Sequence, residues 1–262
     1  MSVASVYRCK GNNIGDFASS PALYFRLPGE ITKYELPFQE DWPCPTSGNV
    51  IVGGGGLIGA GVEKIRRAMT LLADRAKPDT RLICWGAGLH DNLNHVLDEP
   101  IPSFLRKYKL VGIRDVVDCV RWVPCASCML AIFKREMKPT EEFVVYSHGV
   151  HKLDLGVPAK QANNTASQVG TPRRAIEFIA SGAVVLTNTY HGAYWATLLG
   201  RKVVVINPWS TKFFRMKHPP VFATVEDWKH RVKAAVNYDE ALDECREAST
   251  RFYADVMNVI SG

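Results

Sequence analysis

Short apolar runs alternate along the chain with longer stretches in which apolar residues recur every three or four positions. The runs Val3–Tyr7, Asn49–Val52, Arg81–Trp85, Leu110–Ile113, Phe143–Ser147, Ala183–Thr187 and Lys202–Ile206 are β-branched, and several are apolar throughout. That pattern predicts strands buried on both faces of a parallel sheet. Helices are predicted over Asp16–Tyr24, Val62–Arg75, Arg173–Ala180, Ala193–Leu199, Val225–Val236 and Asp239–Val259. In the last of these, Leu242, Cys245, Ala248, Phe252, Val256 and Val259 fall at spacings of three and four and mark one apolar face. Strands separated by helices predict an α/β architecture of right-handed βαβ units with mainly parallel sheets.

The polar segment Glu136–Glu142 contains Pro139 and precedes a fresh strand, so it is the expected hinge. It divides the 262 residues into an N-terminal Rossmann-like domain, 1–137, and a C-terminal one, 138–262, which carries the long last helix. Asp154–Gly170, rich in Asn, Gln and Gly, reads as a surface loop. With 47% hydrophobic and 22% charged residues, the composition excludes a disordered, collagen-like or coiled-coil chain. A secretory leader pattern and an 18-residue apolar run are both missing, so a soluble cytoplasmic protein without a transmembrane segment is expected. Seven cysteines scattered through apolar runs point to free thiols in a reducing compartment. The net charge of +6 is mild and favours an anionic small molecule over a nucleic acid. One stretch differs. Arg201–Lys233 holds eight basic and two acidic residues interleaved with Trp209, Phe213, Phe214 and Trp228, a pattern that can stack bases and follow phosphates.

Four groups of residues lie where predicted strands end. Asn13, Gly15 and Asp16 follow the first strand; the turn places N–H groups at a helix start, and Asp16 is either an N-cap or a carboxylate that takes a proton from a hydroxyl. The run Gly53–Gly59 contains G-x-G-x-x-G at Gly54, Gly56 and Gly59. It follows the second predicted strand and lacks an acidic residue at the end of the next, so a bare backbone floor to a cleft at Gly54, Gly55 and Gly56 is favoured over a dinucleotide site. Arg114 and Asp115 follow Leu110–Ile113, where a guanidinium is suited to bind carboxylate or phosphate; the alternative is a mutual surface pair. Thr187, Asn188, Thr189, Tyr190, His191 and Gly192 join a buried strand to a helix start, where an anion can lie beneath the imidazole. The single C-x-x-C of Cys125 and Cys128 lacks the second pair of a zinc site, so packed thiols and no metal are expected, although His148 and His151 are spaced H-x-x-H.

In this order, Asn13-x-Gly15-Asp16, Gly53–Gly56, Arg114-Asp115 and Thr187…His191-Gly192 resemble the polysaccharide pyruvyl transferase family over residues 3 to 206. The resemblance implies a two-domain, GT-B-like glycosyltransferase fold with a cleft between the halves. It implies a transferase that moves a pyruvyl or glycosyl group from phosphoenolpyruvate or a nucleotide sugar to a carbohydrate hydroxyl, without a cofactor. His191 would then bind or protonate the leaving phosphate, Arg114 would neutralise it, and Asp16 would orient or deprotonate the acceptor. Where the family pattern carries an Arg, this chain has Thr189. Two alternatives stand beside this reading: a glycosyltransferase acting on modified DNA, and a degenerate glycan-binding homologue.

Overall fold

The computed structural model describes residues 2–7, 11–36, 45–93 and 103–262. It is an α/β protein built on two parallel sheets. The first contains β1 (Ser2–Tyr7), β2 (Glu30–Glu35), β3 (Asn49–Gly53), β4 (Gly56–Ile58), β5 (Arg81–Leu89), β6 (Leu110–Ile113) and β7 (Arg121–Trp122). The second contains β8 (Glu141–Ser147), β9 (Lys160–Asn163), β10 (Gly182–Thr187), β11 (Lys202–Ile206) and β12 (Val221–Ala223). The helices are α1 (Ile14–Phe17), α2 (Glu63–Arg75), α3 (Ala166–Val169), α4 (Pro172–Ala180), α5 (Tyr190–Leu198), α6 (Trp228–Arg231) and α7 (Ala241–Ser261).

Every predicted strand is present, because runs such as Val50–Val52 and Val203–Ile206 are buried on both faces. The strands that pattern does not find are edges or short pieces. β2 (EITKYE) and β9 (KQAN) each pair on one side only, so polar side chains are tolerated there. β9 and α3 fall inside Asp154–Gly170, which therefore holds regular structure where a loop was predicted. The helix predicted over Asp16–Tyr24 ends at Phe17: Pro21 holds Ser20 extended, and a 3₁₀ turn follows. The one predicted over Val225–Val236 shrinks to α6 and a 3₁₀ turn, because Asp227 Oδ1 accepts the Thr224 N–H at 2.7 Å and closes a turn instead.

The strand order is β2-β1-β3-β5-β6-β7 in the first sheet, with β4 beside β5, and β9-β8-β10-β11-β12 in the second. Both orders reverse direction at their first strand, between β1 and β3 and between β8 and β10. Such a switch point opens a crevice at the carboxyl ends of the strands.

The second sheet begins at Glu141, inside the last two residues of the predicted hinge segment. The long helix does not stay with it. Phe252, Val256 and Ile260 of α7 pack with Val3, Ile51, Ile83 and Trp85 of the first sheet, while Cys245 joins the core of the second. α7 therefore straps the two halves together. None of the described helices is long and apolar enough to cross a membrane. The five described cysteines are free thiols, four of them buried; Cys9 and Cys44 lie outside the described residues.

Candidate functional site

The carboxyl ends of the two sheets border one cavity of about 690 Å³. From the first half it is lined by Asn13 and Asp16 after β1, Gly56 after β3, Gly61–Ile65 at the start of α2, His90 after β5 and Arg114 after β6. The second half contributes His148 after β8, Asn164 after β9, Thr189, Tyr190 and His191 after β10, and Trp209 and Lys212 after β11. Both switch points thus open into the same space. Hydrogen bonds tie its rims together. Asn13 Oδ1 accepts from Asn164 Nδ2 at 3.2 Å, and Asn164 O accepts from Ile14 N at 2.9 Å. On the other side, Thr211 N donates to Asp91 O at 3.0 Å, and Asp91 N to Thr211 Oγ1 at 3.1 Å.

His191 opens helix α5. Its ring lines the cavity but is only 6% exposed. One edge rests on Gly15, where an added Cβ would lie 2.0 Å from Nδ1. Nε2 turns the other way, 3.5 Å from Cys125 Sγ. Burial pushes the imidazole pKa well down, and the charges of Arg114 and Lys212 push it further, so His191 is neutral at neutral pH.

Arg114 is not a surface residue. It is 3% exposed, its guanidinium lies 3.5 Å over the Tyr190 ring, and its chain fills the space that a side chain at Gly88 would need. Its Nε is buried without a hydrogen-bond partner. A buried guanidinium N–H left unpaired costs free energy. Lys212 is also buried, with Nζ 3.7 Å above the Trp209 ring. Two cations and a neutral imidazole thus border one cavity, together with the carboxylates of Asp16 and Glu63.

Asp115 serves the fold. Its Oδ2 accepts the Leu89 N–H at 2.7 Å and closes the end of β5. Burial raises its carboxyl pKa to about 6, against the opposing pull of Arg114, the Leu89 N–H and Arg215. The folded value lies above the unfolded value of 3.8. The group therefore contributes stability fully below about pH 4, and that contribution is lost as pH rises through about 6. In Asp115→Asn this part of the pH dependence is expected to vanish, which urea titrations across pH 4 to 7 would detect as a flatter profile.

The other predicted residues divide. Asn13 caps α1, its Oδ1 accepting from Gly15 N at 3.1 Å, and it also lines the cavity. Asp16 lines the cavity too and is 7% exposed. Tyr190 supports Arg114. Thr189 lines the cavity while its Oγ1 caps α5 by accepting from Gly192 N at 2.9 Å. Thr187, Asn188 and Gly192 do not line it. Thr187 Oγ1 donates to Tyr146 O at 2.5 Å; Asn188 holds the loop after β8 through His148 N and His151 O; Gly192 packs against the two threonine hydroxyls. The glycine floor also needs correcting. Gly54 lies against the Ser19 carbonyl in a tight backbone crossing, Gly55 supplies a left-handed turn at φ 82°, and only Gly56 of the three faces the cavity.

Sequence reasoning did not bring His90, His148, Asn164 and Trp209 to this site. Trp209 is the hub, with the His90, His148 and His151 rings 5.5, 5.4 and 5.1 Å away. Burial, Lys212 and His151 push His148 down to about 4. Among the described residues no group of three or more His, Cys, Asp or Glu is arranged to hold a metal ion. The aromatic residues of the basic stretch are divided: Phe213 and Trp228 are buried, Trp209 borders the cavity, and Phe214 is exposed.

No family model matches the chain, and no curated protein matches it. Among solved structures, an uncharacterised protein of Klebsiella pneumoniae is similar at 15% identity, over 79% of this chain and 82% of that one, with a TM-score of 0.48.

Proposed function

We propose that the protein is a group transferase of the polysaccharide pyruvyl transferase kind, working in a GT-B-like cleft. It moves a pyruvyl or glycosyl group from an anionic donor, phosphoenolpyruvate or a nucleotide sugar, to a carbohydrate hydroxyl. The observation that carries this reading is Arg114: a buried guanidinium with an unpartnered Nε, beside a neutral imidazole and a second buried cation, at facing strand ends. Positive charge organised before the donor arrives stabilises charge that develops on the leaving phosphate. Asp16, on the same cavity, orients the acceptor hydroxyl and takes its proton. The acceptor enters along the wall formed by Gly56, Gly61 and His90.

A small-molecule or glycan acceptor fits better than DNA. Two of the aromatic residues in the basic stretch are buried and do not form a stacking row.

The test is a thermal-shift panel with phosphoenolpyruvate and the common nucleotide sugars, followed by turnover of the labelled donor. A donor present at about a hundred times its Kd stabilises the fold by about 2.7 kcal/mol. One donor class is expected to raise Tm, and His191→Ala to lose turnover. Binding without turnover would leave a glycan-binding homologue. No shift with any donor would sink the proposal.

A further inference from the structure

A chain of hydrogen bonds runs beneath the cavity to His191 and begins at a group that can act in only one direction. Trp195 Nε1 is 3.0 Å from Ser127 Oγ. An indole N–H only donates, so the hydroxyl oxygen accepts. Ser127 is fully buried, and among the described residues its hydroxyl proton has one acceptor within reach, Cys125 Sγ at 3.3 Å. Cys125, also fully buried, is 3.5 Å from His191 Nε2. Burial raises the thiol pKa, so the sulfur keeps its proton at neutral pH. With Ser127 donating to the sulfur, the S–H is free to point at Nε2, and in that arrangement Nε2 is the bare nitrogen that accepts it.

We infer that the relay Trp195–Ser127–Cys125 holds His191 as the Nδ1–H tautomer, so that the imidazole offers the cavity a neutral N–H donor. The hydrogen bond made by one ring nitrogen decides what the other can do. Nε2 is turned onto Cys125, and Nδ1 lies on the opposite edge of the ring against Gly15, in the turn whose Asn13 and Asp16 line the cavity. Arg114 and Lys212 oppose a second proton on the ring. His191 then binds the anionic group by donation, and the base for the acceptor is Asp16. That division of labour rests on the function proposed above, whereas the tautomer is a property of the empty protein. Cys125 and Ser127 are positioning residues: they act through the imidazole.

The tautomer can be read without any ligand. Long-range proton–nitrogen correlation spectra of protein labelled in its histidine nitrogens separate the Nδ1–H, Nε2–H and doubly protonated forms, and the His191 signals are assigned by their loss in His191→Gln. At neutral pH the wild type is expected to show a protonated Nδ1 and a bare Nε2. Cys125→Ser keeps an O–H donor and should keep that pattern. Cys125→Ala removes the donor and should move the proton to Nε2, the form that free imidazole prefers. A proton on Nε2 in the wild type overturns the inference, as does an unchanged pattern in Cys125→Ala. The wild-type spectrum decides the point even where a variant does not fold. No donor is present, so the result is independent of the panel above.

Discussion

Adding one methyl group at Gly15 is expected to disable the site, lowering donor affinity or turnover by about a hundredfold or more. The new Cβ would stand 2.0 Å from His191 Nδ1 and 2.5 Å from Cγ, far inside van der Waals contact. The ring has no room to retreat, because its far edge rests on Cys125 and its plane packs 5.1 Å from the Trp195 ring. It has to rotate out of the cavity floor or push α1 away. Overpacking of this kind costs about 1–3 kcal/mol of stability, which most folds survive. Gly55→Ala is the control. Its Cβ meets nothing closer than Asp16 Oδ1 at 3.6 Å, so its cost is the left-handed backbone alone, about 1–2 kcal/mol, with His191 undisturbed. Equal donor affinity in Gly15→Ala and wild type would mean that His191 does not touch the donor.

Replacing Arg114 with Met should weaken anion binding by about 2–5 kcal/mol, roughly thirtyfold to several thousandfold. Methionine is flexible and of similar length, so it can fill the slot between Gly88 and Tyr190. What disappears is the charge and the unpartnered Nε. Calorimetry with inorganic phosphate and with the donor identified by thermal shift would measure the loss. A second consequence distinguishes a lost charge from a damaged fold. Arg114 pulls the Asp115 pKa down, so without it that pKa moves above about 6 and the pH window of lost stability extends upward. Unchanged phosphate affinity in a folded Arg114→Met protein would remove Arg114 from the anion site.

Much of the fold was legible because buried parallel strands leave a strong signature. Val50–Val52, Leu82–Trp85 and Val203–Ile206 must be apolar on both faces. Edge strands carry no such requirement, which is why β2 and β9 were missed. Turn chemistry cut two predicted helices short, at Pro21 and at the Thr224–Asp227 turn. Asn13, Asp16, Gly56, Arg114, Thr189, Tyr190 and His191 were legible as cavity-lining residues for a topological reason: they lie just past strands, and open α/β sheets gather those ends on one side.

The sequence by itself determined the alternation of strand and helix, and with it the edge of each sheet where chemistry can collect. It could not tell a lining residue from a supporting one. Thr187 ends β10 and Asn188 and Gly192 follow it just as His191 does, yet they turn inward to hold the backbone. Nor could it bring Trp209, Lys212 and His90 to the same cavity, or place Gly15 beneath His191 across 176 positions of chain. Those pairings depend on how two separately formed sheets face each other across α7. Local periodicity reports which face of an element is buried; the tertiary structure alone decides what it is buried against.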